Sequence, residues 1–289
     1  MNSIIFFGSF QHYSVLTLDL LAQSHQFDII GVVTTPPRPG DKLVLTKNPT
    51  QIYAEDNKIP CFPLETLDQI PSSLTRPDFI LVSGFGKLIN EKWLNFSKVM
   101  AINIHQSLLP NYAGRFPVEW AIINGESETG ITFIKMSSQF DRGEIIAQYP
   151  IPIIPTDTRE ALYDSLYCLA GQKSLELLPQ IATGNYHLAP QDLGSNIQHL
   201  IYARQITRDD GFIDWQFFQK YLNNHQIIHP KFNTDLDHLF RAFVPWPGIW
   251  TITPKKERLK ITNLEPLIVQ IEGKKPTSWD TIKSNFDTI

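Results

Sequence analysis

The chain has 289 residues, 42% hydrophobic and 19% charged, with a formal net charge of −4, so it can bury a substantial core and reads as globular rather than disordered. Two cysteines, Cys61 and Cys168, form no CxxC pair and no metal-ligand spacing, which points to a reducing compartment and to no bound metal. The apolar start Met1–Phe7 is too short and lacks the basic flank of a signal peptide, and no apolar run is long enough to span a membrane, so a cytoplasmic protein without a membrane partner is expected.

Short apolar runs at Ile4–Phe7, Ile29–Thr34, Phe79–Val82, Ala101–His105, Ile131–Met136 and Ile145–Tyr149 predict strands. Between them Val15–Leu21, Thr50–Asp56, Val118–Ile123 and Arg159–Leu178 predict helices, with Pro117 suited to a first helical turn and Asp157 a candidate cap for the long helix. Strands alternating with helices argue for an α/β fold with a Rossmann-like, doubly wound and mostly parallel sheet. Gly8 ends the first strand, but no G-x-G-x-x-G or P-loop follows, so neither a nicotinamide cofactor nor a nucleoside triphosphate is supported.

The pattern breaks at Gly184–Gln191, which reads as a linker, followed by a short helical stretch near Ile197–Arg204. Beyond it, β-type segments at Gly211–Trp215, Ile249–Thr253, Leu259–Ile261 and Leu267–Ile271, punctuated by Val244-Pro245-Trp246-Pro247-Gly248, suggest a small barrel. The expected organisation is therefore a catalytic domain over 1–185, a linker over 186–206 and a C-terminal domain over 207–289. From residue 200 onward there are 12 Lys/Arg against 10 Asp/Glu, compared with 13 against 19 before it. That balance permits nucleic-acid contact in the C-terminal part and is equally compatible with chance.

The residues with most chemistry are Asn103, His105 and Asp141. Asn103 and His105 are two apart on a strand and so share a face. An amide and an imidazole converging on one carbonyl oxygen make an oxyanion hole. A carboxylate from Asp141, at the end of a neighbouring strand, would orient the ring and relay the proton leaving an attacking amine. Ser107 lacks a nucleophile elbow, so direct attack by a substrate amine fits better than an acyl-enzyme. On spacing alone, His105 is equally readable as a core histidine and Asp141 as a turn residue.

Around these positions, Ile102-Asn103-Ile104-His105-Gln106-Ser107-Leu108-Leu109-Pro110, Gly125–Thr132 and Asp141-Arg142-Gly143-Glu144-Ile145 resemble the signature segments of the folate-dependent formyltransferases. The resemblance implies Asn103, His105 and Asp141 as catalytic residues and 10-formyltetrahydrofolate as co-substrate. It implies a folate pocket built largely from backbone groups of Phe85, Gly86, Lys87, Leu88 and Ile89, from Ser107, Leu108, Leu109 and Pro110, and from Gln139 and Phe140. Across nearly the whole chain, Phe6-Phe7-Gly8, the Thr35–Gly40 loop, Ala189-Pro190-Gln191-Asp192, Ile213-Asp214-Trp215, Arg241-Ala242-Phe243 and Pro245–Gly248 are similar to the branch of that family that formylates initiator methionyl-tRNA. This implies an OB-like C-terminal barrel facing tRNA, acceptor contacts from Arg38, Lys42 and Arg115, and a monomer.

The chain departs from that branch at Arg115-Phe116, where small residues are usual, in the sparse basic residues of the Arg38 loop, and in an insertion around Tyr221–Asn233. The first departure keeps an amino-sugar nucleotide open as acceptor. Water as acceptor, releasing formate, and a non-enzymatic RNA-binding protein with a relic site are further alternatives.

Overall fold

A computed structural model of the chain describes residues 1–39, 44–191, 200–225 and 227–286. In chain order the main elements are β1 (Asn2–Phe7), α1 (Tyr13–Gln23), β2 (Phe27–Thr34), α2 (Pro49–Asp56), β3 (Cys61–Pro63), β4 (Phe79–Ser83), α3 (Glu91–Leu94), β5 (Met100–His105), α4 (Pro117–Ile123), β6 (Glu128–Lys135), β7 (Ile145–Pro152) and α5 (Arg159–Ala182). After them come α6 (Trp215–Asn223), α7 (Leu236–Phe243), β8 (Ile249–Ile252), β9 (Arg258–Asn263), β10 (Ile268–Ile271), β11 (Thr277–Ser278) and α8 (Trp279–Ile282). The chain divides into two compact units that are not contiguous in sequence: Met1–Arg115 with Thr129–Ile151 and Tyr163–Tyr202, and Phe116–Glu128 with Pro152–Leu162 and Ala203–Ile289.

The first unit is built on a seven-stranded sheet ordered β7-β6-β5-β4-β1-β2-β3. Strands β3, β2, β1, β4 and β5 pair in parallel, and β6 runs antiparallel to β5, so the sheet is mixed. The continuous apolar strands follow from burial on both faces. Ile5, Phe7, Ile80, Val82 and Ala101 join one core cluster with Phe85, Ile89 and Trp93, while Ile4 and Phe6, of opposite parity, are also fully buried. Helix α1 is tied to β4 by Ser14 Oγ donating to the Ser83 carbonyl (2.8 Å) and to α5 by Thr17 Oγ1 donating to that of Tyr167 (2.9 Å). The chain order reverses at β1, flanked by β2 and β4, which puts the crevice of an open sheet at the carboxyl ends of β1 and β4.

In the second unit, α4 and α7 pack together, and the buried Glu119 carboxylate accepts from Arg159 Nη1 at 3.1 Å. Strands β8 to β11 form an antiparallel sheet whose buried face carries Ile249, Leu259, Ile261, Val269 and Ile271. Pro117 does open α4.

Several local expectations are corrected. Gly211–Trp215 is not a strand: Arg208–Gly211 is a 3-10 turn and Trp215 begins α6. The reason is capping, because Asp210 accepts from the Thr207 amide and Asp214 from the Phe217 amide, and these acids outweigh the β-propensity of the aromatics. The helix expected near Ile197–Arg204 is absent from Leu200 onward, where Tyr202–Ala203 is extended; residues 197–199 lie outside the described residues. There the Ile201 carbonyl accepts from the Tyr112 amide at 2.7 Å rather than from a helical turn. Asp157 does not cap α5. Its carboxylate accepts from the Ile154 amide (2.9 Å), and Thr158 Oγ1 accepts from the Ala161 amide (3.3 Å). The stretch around Tyr221–Asn233 continues α6 to Asn223 and then turns into a short pairing of Ile228–His229 with Thr234–Asp235.

Candidate active site

Asn103 and His105 lie on β5, whose register sets Val82 beside Asn103 and Ser83 beside Ile104 on one flank, and Ile134 beside Asn103 and Thr132 beside His105 on the other. Both strands flanking β5 are largely buried, with Thr132 the buried polar neighbour of His105. His105 is 6% exposed. Its Nε2 lies 2.9 Å from the Tyr112 carbonyl oxygen, which can only accept, so Nε2 carries the hydrogen. The nitrogen left for chemistry is Nδ1, which faces Asp141 Oδ1 at 3.6 Å, beyond direct hydrogen-bond length.

Asp141 does not sit at a strand end as expected. It lies in the connection from β6 to β7, with φ of 51°, a left-handed conformation that Asp tolerates better than most residues. Its Oδ1 is 3.4 Å from Asn103 Nδ2, and its Oδ2 accepts from the Gly114 amide at 3.0 Å. The loop is returned to the sheet at its base, where the Lys135 amide donates to Glu144 (2.9 Å). Gly143 permits this return because a Cβ there would overlap the Lys135 carbonyl oxygen. The carboxylate is thus held on both oxygens beside an amide and an imidazole.

The segment after β5 is folded onto the same sheet by its hydroxyls. Thr132 Oγ1 donates to the Ser107 carbonyl (2.6 Å) and accepts from the Leu109 amide (3.0 Å), while Gln148 Nε2 donates to the Leu109 carbonyl (2.8 Å). Ser107 is buried, and its Oγ donates to the Asn111 carbonyl at 2.7 Å, so it is turned away from any role as nucleophile. Both cysteines are free thiols whose ionisation burial pushes upward, Cys61 to about 11, which leaves them weak nucleophiles.

The remaining expected site residues divide by environment. Phe85 and Ile89 are buried in the core, Phe85 edge-on to Phe7 at 5.3 Å, so only their backbone is available to a ligand. Lys87 is committed elsewhere: its Nζ donates to the carbonyls of Leu64 (3.1 Å) and Glu65. Gly86 is exposed with open space at its Cβ position. Leu88 and Phe140 are large apolar side chains 49% and 59% exposed, and Gln139 is exposed beside Phe140. Leu109 is buried, and Leu108 and Pro110 are half-buried. Arg38, in a two-residue pairing with Leu45–Thr46, and Arg115 are exposed; Lys42 lies outside the described residues.

Three groups beside the triad carry no spacing signal: the Tyr112 carbonyl, the Gly114 amide and Gln191. Two are backbone groups, invisible to side-chain pattern. Gln191 belongs to the segment read as a linker, yet Ala189 forms an antiparallel bridge with Ile145 at the edge strand β7. Among the described residues one cluster has the composition of a metal site, Asp235, Asp237 and His238. Its groups are engaged locally, Asp235 with the His238 amide and ring and Asp237 with Arg241.

Residues 1–177 match the family model described as formyl transferase. The chain is similar to a methionyl-tRNA formyltransferase from Staphylococcus epidermidis, 35% identical over 266 residues, covering 90% of this chain and 79% of that protein. It is also similar to one from Lactiplantibacillus plantarum, 32% identical over 281 residues, covering 96% and 82%. Among solved structures, its fold is like that of an N-formyltransferase from Helicobacter canadensis in complex with folinic acid and dTDP-3-aminofucose. That likeness has a TM-score of 0.59 at 22% identity, covering 91% of this chain and 89% of that one.

Proposed function

The chain belongs to the formyl transferase family, and from that premise we propose that it transfers the formyl group of 10-formyltetrahydrofolate to the amino group of methionyl-tRNA. One observation carries this reading: Asp141 Oδ1 lies 3.4 Å from Asn103 Nδ2 and 3.6 Å from His105 Nδ1. A fixed carboxylate, an amide donor and an imidazole edge are what amine attack on a formyl group requires.

An α-amino group titrates near pH ~8, so roughly a fifth to a third is already the neutral nucleophile at pH ~7.4. As its nitrogen bonds to the formyl carbon, the carbonyl oxygen gains charge. Asn103 supplies the amide hydrogen not turned toward Asp141, and His105 supplies the second donor from Nδ1 in its imidazolium form, with Nε2 still bound to the Tyr112 carbonyl. One such donor contributes on the order of 10²–10³ in rate. Asp141 takes the proton from the amine, directly or through one water. The bond from the formyl carbon to the folate nitrogen then breaks, and that nitrogen leaves with the proton.

On this reading the backbone of Phe85–Ile89 and of Gln139–Phe140 receives the folate, with Leu88 and Phe140 as apolar walls and Ser107–Pro110 closing the pocket. Arg38, Lys42 and Arg115 receive the acceptor. Residues 1–185 act as the catalytic domain, 186–206 as linker and 207–289 as an OB-like domain facing tRNA. The antiparallel sheet β8–β11 and the added parallel bridge between Phe212 and Trp250 support that last assignment. The protein works as a cytoplasmic monomer and needs no metal. No helix among the described residues is long and apolar enough to cross a membrane.

The test is purified protein with 10-formyltetrahydrofolate and charged initiator methionyl-tRNA, following formyl-methionyl-tRNA. Formate release unaffected by added tRNA, or binding without turnover, would overturn the reading. A second reading, with an amino-sugar nucleotide as acceptor, draws on the ring of Phe116, which stacks on Trp246 at 6.3 Å and 27° and offers aromatic surface to a nucleobase. Exclusive formylation of such a nucleotide in the same assay would favour it.

A further inference from the structure

Gln191 lies 50 residues beyond Asp141 and contacts the backbone of the loop that carries it. Its Nε2 donates to the carbonyl of Asp141 at 2.7 Å and to that of Gly143 at 2.9 Å. Both partners can only accept, so the side-chain amide is oriented with its nitrogen toward them, and both of its hydrogens are used. The chain leading to Gln191 is itself anchored. The Ala189 amide donates to the Ile145 carbonyl at 2.9 Å and the Ile145 amide to that of Ala189 at 2.7 Å. The clamp therefore runs from the sheet edge at Ile145, through Ala189, to the one loop whose carboxylate meets Asn103 and His105.

We propose that Gln191 is a positioning residue for Asp141: by holding the carbonyls on either side of Arg142, it fixes the left-handed turn that aims the Asp141 carboxylate. Asp141 has φ of 51°, a conformation that ordered surroundings must impose on a residue other than glycine. The β6–β7 connection supplies little of that order itself. Besides the Lys135–Glu144 bond that closes its base, its described internal bonds are short-range, from Ser137 Oγ to the Gln139 carbonyl and from the Gln139 amide to Ser137 Oγ, and Phe140 and Arg142 are exposed. Two amide hydrogens from Gln191 supply constraint from outside the loop. The Gly114 amide, bound to Asp141 Oδ2, reports whether the carboxylate stays in place.

This inference rests on the reading of Asp141 as a participant in formyl transfer, and its test separates the two. Gln191→Glu keeps the shape and replaces the donating nitrogen with an oxygen that repels both carbonyls; Gln191→Ala removes the side chain. A displacement of ~1 Å at a reacting group can cost on the order of 10²-fold. In full-length protein, both variants should lose about 10- to 100-fold in kcat, with the donor KM within about twofold of wild type and the thermal midpoint nearly unchanged. In an Asp141→Ala background the same changes should cost almost nothing more, because a residue acting through Asp141 is non-additive with it. Independently of turnover, hydrogen exchange at the Gly114 amide should quicken about tenfold or more in Gln191→Glu. Unchanged exchange at Gly114 would overturn the inference whether or not the protein formylates tRNA. Equal kcat losses in both backgrounds would overturn it even with the formylation reading intact.

Discussion

Asn103 Nδ2 and Asp141 Oδ1 stand 3.4 Å apart across 38 residues of sequence. The pair joins a donor for developing negative charge to a carboxylate that can take the amine proton. His105, fixed through Nε2 to the Tyr112 carbonyl, completes the set with its other nitrogen.

Removing either partner should slow the chemical step while leaving binding largely intact. Asn103→Ala should lower kcat by on the order of 10²–10³, and Asp141→Asn by roughly 10²–10⁴. Single-turnover formylation with saturating donor checks this. Near wild-type rates in either variant would exclude these residues from the reaction.

Gly143→Ala should cost stability as well as activity. The added methyl would overlap the Lys135 carbonyl oxygen, so the start of β7 must shift, at a cost of roughly 1–3 kcal/mol. Urea unfolding should show a lower midpoint with an unchanged slope, and kcat should fall with it, because the same loop carries Asp141. A stable, fully active variant would mean that the return to Lys135 is looser than the structure implies.

Lys87→Met should act on the donor side. The ammonium crosses to the carbonyls of Leu64 and Glu65 and so tethers the loop after β4. Loss of a charge-assisted hydrogen bond is worth roughly 1.5–3 kcal/mol, or about tenfold or more in donor KM if the loop must be re-ordered on binding, with kcat nearly constant. Lys87→Arg should recover part of the loss. A change confined to kcat would contradict this role.

Acid should destabilise the second unit in two stages. His229 is buried, which lowers its pKa, the nearby Lys231 charge adding to this and Asp214 opposing it. Its Nδ1 accepts the Lys231 amide at 3.2 Å, a bond available only to an unprotonated nitrogen. The unfolded chain then binds the proton more readily, so stability present above pH ~6.5 declines as pH falls below it. Burial raises the Asp210 pKa, but hydrogen bonds from Arg204, Lys231 and Thr207 outweigh it and hold the carboxyl well below its usual range. Its contribution is present above pH ~4 and is lost as pH falls through the lowered value. Urea titrations of His229→Phe should flatten the first stage and those of Asp210→Asn the second. An unaltered pH profile in either variant would refute the assignment of its stage.

Short-range signals carried a large part of the architecture. Apolar runs marked β1, β2, β4, β5 and β6 because strands covered on both faces leave no room for polar alternation, and an apolar run also marked β7, although that edge strand has no buried residue. Asn103 and His105 were legible as neighbours because period two is a property of any strand, and the motifs around them were enough for the family. Short-range signals misled where a cap decided the outcome, at Asp210 and Asp214, since one side-chain bond to a backbone amide outweighs the β-propensity of Phe212 and Trp215. The company that Asn103 and His105 keep depends on long-range packing. Asp141 reaches them from a loop whose course depends on the close return past Gly143, and Gln191 arrives from a segment whose composition reads as a linker. Such contacts are set by where crossovers bring the chain back to the sheet, and no local periodicity records them.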